Sequence, residues 1–464
     1  MKAENKQQTG CSRRQFLGQA SCAAITASPL LSTLFNLKMA GNLSAAPGED
    51  YRALVCIFLA GGNDSFNMLI PTEASSYGGY TAARSNLALT RESILPLSGK
   101  DGAGHYGVHP GMPEVQSLYN SEKLAFVANV GTLVEPTNLA GFNNNSARLP
   151  VGLFSHSDQI MHWQTSIPDQ RSPYGWAGRM ADILHAENNT SPVSMNISLA
   201  GTNTFQSGQN SVSYDITQDG NGSVVMESFP GNATYAEISK TAVKSLMDIQ
   251  YKNLFQKTFA TINSRSIDAA QSFADAVSEI SVKTAFSPTA LSQSLKMVAR
   301  TIGARKNLTT KRQTFFIMYG GWDHHDELLN SHAAMLPVVS KAMGEFDRSL
   351  TELGVSNQVT TFTASDFART LSSNGRGSDH AWGSNQMVMG GAVRGGTVYG
   401  EYPDLTPKNP LDTGRGRLIP TTSTDEYFAE LALWFGVQPG DLPSVFPNLN
   451  RFYTVGSENP IGFL

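Results

Sequence analysis

The run Ala53-Leu54-Val55-Cys56-Ile57-Phe58-Leu59, followed at once by Ala60-Gly61-Gly62-Asn63-Asp64, decides the fold class. An unbroken apolar stretch of this length reads as a strand buried on both faces. A strand that ends in a glycine turn and an acid is the usual layout of open α/β sheets, where ligands bind beyond the carboxyl ends of strands. Residues 124–130, 314–319 and 359–363 read as buried strands of the same kind. Residues 387–393 begin a further strand and turn, and 395–400 read as a hairpin-like segment.

Between the strands the pattern turns helical. Helices are expected over 113–121, from Trp176 toward His185, over 336–353 and over 425–436. Apolar residues recur at helical spacing at Ala242, Leu246, Ile249 and Leu254, and again at Leu291, Leu295, Val298 and Ile302. That gives two or three helices across 235–305, with Ser287-Pro288 as a break. Residues 193–235, rich in Ser, Asn, Gly and Thr, read as short strands and loops that cap the site. Neither a repeat nor a linker interrupts the chain, so one domain spans 47–464 with an insertion at about 193–310.

The ends of the strands carry the chemistry. After 314–319 comes Gly320-Gly321-Trp322-Asp323-His324-His325-Asp326. In an extended segment Asp323 and His325 project to the same side and His324 to the other. One oxygen and one nitrogen ligand on a shared side suit zinc or another divalent metal. After 359–363 comes Ser365-Asp366-Phe367-Ala368-Arg369-Thr370, then Asp379-His380-Ala381-Trp382-Gly383. Asp64, Asp323 and Asp366 thus each follow a strand, and His380 adds a nitrogen ligand. Asp64 reads equally as the N-cap of a helix. Arg369 either clamps Asp366 or binds an anionic oxygen through its fork of donors.

In Leu153-Phe154-Ser155-His156-Ser157-Asp158, Ser155 or Ser157 stands at a helix start, where backbone N–H groups favour an anion. A nucleophilic hydroxyl fits there, and so does simple capping. His109 reads as structural, and His332 as an exposed residue on the helix that follows Asp326.

Composition bounds the rest. The chain has 464 residues, a net charge of -4 and three cysteines. So balanced a charge implies no broad basic surface for nucleic acid. Cys11 and Cys22 fall in a removable segment, and Cys56 lies inside a strand, so neither a disulfide nor a thiolate metal cluster is expected. No dinucleotide glycine fingerprint opens a helix, which leaves little for a redox reading. At the N-terminus, Ser12-Arg13-Arg14-Gln15-Phe16-Leu17 resembles a twin-arginine export motif. A weakly apolar stretch and Ser44-Ala45-Ala46 follow, so residues 1–46 read as a signal recognised by the twin-arginine translocase. The exported chain has no apolar window long enough to span a membrane.

Taken together, Gly61-Gly62-Asn63-Asp64, Ser155-His156, Gly321-Trp322-Asp323-His324-His325, Ser365 through Thr370, and Asp379 through Gly383 resemble one exported bacterial family. Gly390 through Gly396, Arg417 through Thr421 and Trp434 through Val437 continue the likeness. It is the DUF1501 family, a domain of unknown function grouped with the alkaline phosphatase and sulfatase superfamily. The resemblance implies a three-layer α/β/α fold with a mostly parallel sheet. It also implies metal held by Asp64, Asp323, His325, Asp366 and His380, with Ser155 as nucleophile. In a hydrolase of this kind Arg369 or a helix N-terminus would hold the transferred group. Zinc is the first metal expected, with calcium, magnesium or manganese as the other divalent candidates. The implied activity is hydrolysis of phosphate or sulfate esters, small-molecule or polysaccharide, in the periplasm or outside the cell. A protein that keeps the fold but only binds, or assists envelope assembly, is the other implied role. Two features depart from the superfamily: Phe367 follows Asp366 where the phosphatases have His, and the earlier motif is spaced Asp-x-His. One metal ion, not two, is therefore expected. No Cys-x-Pro-x-Arg run exists, so a formylglycine is not expected.

Overall fold

Strand β1 (Arg52–Ala60) shows why both faces of the sheet are covered. Ala53, Val55, Ile57 and Leu59 join one apolar core, while Leu54, Cys56 and Phe58 join another on the opposite face. Side chains alternate along a strand, so a continuous apolar run must feed two cores. Each fully buried Val, Leu, Ile or Phe stabilises this arrangement by roughly 1.5–3 kcal/mol relative to exposure. Cys56 is one of these core residues, a free buried thiol.

The computed structural model describes residues 50–100, 104–188, 191–223, 233–456 and 458–464. The signal read over 1–46 lies outside them. The other strands of the central sheet are β2 (Leu124–Gly131), β3 (Asn196–Ser198), β4 (Tyr214–Asp215), β5 (Arg312–Gly320) and β6 (Val359–Ser365). They are followed by β7 (Ser384–Met389), β8 (Val398–Tyr399) and β9 (Thr422–Ser423). Their order is β8-β2-β7-β6-β1-β5-β3-β4, with β9 beside β2. Only β7 runs antiparallel to its neighbours. Parallel strands need crossovers, and the helices supply them.

Those helices are α1 (Ala74–Arg84), α2 (Pro113–Asn120), α3 (His156–Thr165), α4 (Trp176–Asn188), α5 (Ala233–Met247), α6 (Leu254–Ser278), α7 (Ala290–Gly303), α8 (Leu328–Glu352) and α9 (Thr424–Phe435). Residues of α2, α7 and α8 pack on one face of the sheet and residues of α4 and α9 on the other. The result is the three-layer α/β/α fold with a mostly parallel sheet. None of these helices is long and apolar enough to cross a membrane.

Three local expectations change. Residues 395–400 form no hairpin: β8 pairs in parallel with the distant β2. Strands β3 and β4 do not cap the site but extend the sheet beyond β5. Short strands can gain more hydrogen bonds at a sheet edge than in an isolated loop. Helix α8 begins eight residues before 336, and this draws His332 from the expected surface position into full burial.

Candidate metal centre

The site is built where β5, β1 and β6, adjacent in the sheet, reach their carboxyl ends. Trp322 anchors the exit of β5: it is fully buried, and its indole N–H donates to Tyr319 O at 2.9 Å. The turn after β1 lies against this segment. A Cβ on Gly61 would sit 2.5 Å from Asp323 N, and Gly61 has φ +120°, so both space and backbone demand glycine there.

Asp323 is the centre. Its Oδ1 lies 3.0 Å from His325 Nε2 and 3.3 Å from His380 Nε2, and its Oδ2 lies 3.4 Å from His156 Nε2. Behind each imidazole stands an oxygen. His156 Nδ1 is 2.7 Å from Asp366 Oδ2, His325 Nδ1 is 3.1 Å from Asp379 Oδ1, and His380 Nδ1 is 2.8 Å from Phe154 O. An Nδ1 facing an oxygen acceptor carries the proton, which leaves the lone pair on Nε2. Three lone pairs then face one carboxylate, and two of them, on His325 and His380, are only 3.0 Å apart. That arrangement is repulsive unless a cation or extra protons sit among them. Oxygen-backed imidazoles are the usual support of metal-bound histidines. Residues His156, Asp323 and His380 offer ligand atoms all within 4.8 Å of one another, and His325 adjoins them. The donor set therefore fits a divalent metal.

The surroundings hold this geometry. Phe154 adopts a left-handed φ of 75°, which is costly for a side chain with a Cβ, and its carbonyl is the one that His380 meets. Arg417 donates to His380 O at 2.8 Å and lies over the Phe154 ring. The Phe367 ring packs against His380 and His156, with centroids 4.6 and 4.8 Å apart. Phe367 thus forms an apolar wall at the position that follows Asp366. The Asp366 hydrogen bond raises the His156 pKa, while burial lowers that of His380. Burial works against it, yet the Arg369 hydrogen bond and the nearby charges hold Asp323 below the usual carboxylate range.

Of the five acids and histidines expected to bind metal, the structure brings together Asp323, His325 and His380. Asp366 is next to the cluster but faces away from its centre: it accepts from His156 and, at 2.9 Å, from Gly61 N–H. Asp64 is not in the cluster. It is fully buried in an ion pair with Arg84, and burial raises its pKa. It caps no helix either, since residues 61–68 form turns. The physical reason is Arg84, at the end of α1, whose charge neutralises Asp64 locally. Arg369 does not clamp Asp366. It is fully buried, donates to Asp323 Oδ1 at 2.6 Å and to the Ser378 carbonyl, and so positions Asp323. Ser155 occupies the N-cap position of α3 without a capping bond; its Oγ pairs with Ser157 Oγ at 3.2 Å.

His156 was not expected among the ligands from sequence. Capping explained its serine neighbours, and nothing in local spacing ties residue 156 to residue 323. Only the left-handed turn at Phe154 and the packing of α3 against β6 bring it in.

A second histidine cluster lies behind the first. His324, projecting opposite to His325, packs 5.5 Å from His332, which lies 6.2 Å from His109. All three are buried. Neither nitrogen of His332 has a hydrogen-bond partner, and the Gly321 carbonyl near His324 lacks hydrogen-bond geometry. Burial pushes His109 down to about 4 and His332 well below the ordinary value.

The DUF1501 family model, whose description is a protein of unknown function, matches residues 51–414. The chain belongs to the DUF1501 family. The matched span of this DUF1501 chain contains His156, Asp323, His325 and His380. No curated protein sequence matches it. Solved structures similar to it include the lipoteichoic acid synthase LtaP from Listeria monocytogenes, at 7% identity and TM-score 0.29, covering 80% of this chain and 71% of that one. The alkaline phosphatase PafA is similar at 9% identity and TM-score 0.28, covering 70% of this chain and 64% of that one. BT1596, a 2-O GAG sulfatase, is similar at 10% identity and TM-score 0.29, covering 86% and 74%. At such TM-scores the likeness is distant, and the reading of the DUF1501 site rests on its own geometry.

Proposed function

We propose that this protein is an exported, metal-dependent hydrolase of phosphate or sulfate esters. The observation that carries the reading is the set of three imidazoles, each tied at Nδ1 to an oxygen, with Nε2 atoms converging on Asp323. His156, His325, His380 and Asp323 would hold one divalent ion, and three nitrogens with one carboxylate favour zinc over calcium or magnesium. Such an ion supplies Lewis acidity and lowers the pKa of an attacking hydroxyl or water.

The remaining roles belong to the chain. Asp366, Asp379 and the Phe154 carbonyl keep the imidazoles aimed. Arg369 fixes Asp323 and is a positioning residue. Phe367 excludes water from one side. Ser155 stands at the N-terminus of α3 between Phe154 and His156, both of which touch the cluster, so its hydroxyl is the candidate nucleophile. The α3 backbone N–H groups favour an anionic ester there. The Asp64–Arg84 pair supports a single metal.

The protein purified from the exported fraction should carry about one equivalent of metal by mass spectrometry. It should also hydrolyse some member of an aryl phosphate and sulfate panel, and Ser155→Ala should remove turnover while keeping the metal. Metal-free protein with no turnover would sink the proposal. Export itself is tested by Arg13→Lys with Arg14→Lys, which should leave the chain in the cytoplasm.

One observation favours the second reading, an exported binding or envelope-assembly protein. Arg369 and Arg84 are fully buried and held by acids, so neither is placed to take a transferred group. Stoichiometric metal without turnover would select that reading.

A further inference from the structure

Among the described residues, ten large apolar side chains are exposed, and six of them lie between 238 and 259. They are Ile238, Leu246 and Ile249, then Leu254, Phe255 and Phe259. Phe255 is 84% exposed, Leu254 73% and Phe259 64%. Clustering on this scale marks a contact surface and not scattered surface apolarity.

The placement is regular. Helices α5 and α6 pack against each other and are joined by residues 248–253, so they form a helical hairpin. Ile238, Ala242 and Leu246 are four residues apart and share one side of α5; Phe255 and Phe259 share one side of α6. The far half of α6 is anchored: Ala269, Phe273, Ala276 and Val277 are buried in the core. The near half, with the turn, carries Leu254, Phe255 and Phe259 outward. Lys244, Lys252 and Lys257 are exposed among them, against Asp248 as the one acid from 241 to 259.

We propose that this hairpin tip docks the protein on an anionic phospholipid bilayer. The charge balance selects that occupant. A second copy would bring its own lysines against these, whereas anionic headgroups complement them. Leu254, Phe255 and Phe259 enter the boundary between headgroups and acyl chains, and the lysines extend to the phosphates. Among the described residues no helix is long and apolar enough to cross a membrane, and the docking proposed is interfacial. This inference is independent of the metal centre.

The test is co-sedimentation of the purified exported protein with vesicles. Wild type should pellet with equal parts phosphatidylcholine and phosphatidylglycerol, and much less with phosphatidylcholine alone. Phe255→Ser with Phe259→Ser should weaken binding by about ten-fold or more. Lys252→Glu with Lys257→Glu should weaken binding to the anionic vesicles by roughly ten-fold or more. All four side chains are exposed, so thermal melting should be unchanged and serves as the folding control. The proposal is overturned if wild type does not pellet with anionic vesicles, or if both double variants pellet as well as wild type. It is also overturned if the protein ignores vesicles but forms a dimer that the Phe255→Ser, Phe259→Ser variant dissolves.

Discussion

Two histidine clusters share the segment 322–325 and differ in wiring. His325 turns toward His380, His156 and Asp323, and each imidazole there has an oxygen behind its Nδ1. His324, one residue earlier, turns toward His332 and His109 in a buried setting. The same residue type thus serves two ends. Oxygen-backed rings around a half-exposed carboxylate suit a cation, whereas burial favours the neutral form of His109, His324 and His332. Histidine count alone says nothing about which is which; the acceptor behind the ring does.

The largest effect should come from removing a ligand on the wired side. His380→Ala should abolish stoichiometric metal, whereas His332→Phe should leave loading within about two-fold of wild type. Loss of metal in the His332 variant with intact folding would break the distinction. Next, Asp366→Asn, which weakens the acceptor behind His156, should lower metal affinity by about 10–100-fold, read by competition with a chelator. An unchanged affinity would mean that the oxygen backing does not matter.

Gly61→Ala tests the contact that sets Asp323. The left-handed backbone and the close approach to Asp323 N should make it cost about 1–3 kcal/mol in urea unfolding, with weaker metal binding. The smallest effect belongs to the neutral cluster and is a pH slope. Burial holds His109 at about 4 and His332 well below its ordinary value. In the unfolded chain both accept a proton below about pH 6.5. Within that window the unfolded chain binds more protons, so their contribution is complete above pH 6.5 and is lost as pH falls. His332→Phe should therefore lose up to about 2 kcal/mol less stability than wild type between pH 7 and 5. Parallel stability curves would show that His332 does not titrate on unfolding.

The fold was legible because its strands are buried on both faces and read as continuous apolar runs. The segments misplaced, though read as extended, are those whose pairing is not local: 398–399 joins a strand far back in sequence, and 196–198 extends the sheet beside β5. Asp323, His325 and His380 were legible from density and alternation after strands. Asp64 looked equivalent to Asp323 in sequence, and Arg84, twenty positions on, cancels it.

Sequence by itself determined the α/β class, the strand ends as the place of the chemistry, and the opposed directions of His324 and His325. These follow from apolar runs and two-residue periodicity, which are properties of neighbours along the chain. Only the tertiary structure decided that His156 completes the set, that Asp366 stands behind it, and that Arg369 positions Asp323 while Arg84 withdraws Asp64. Those assignments depend on which charge lies within a few ångströms of which, and distance across a fold is not written in spacing along it.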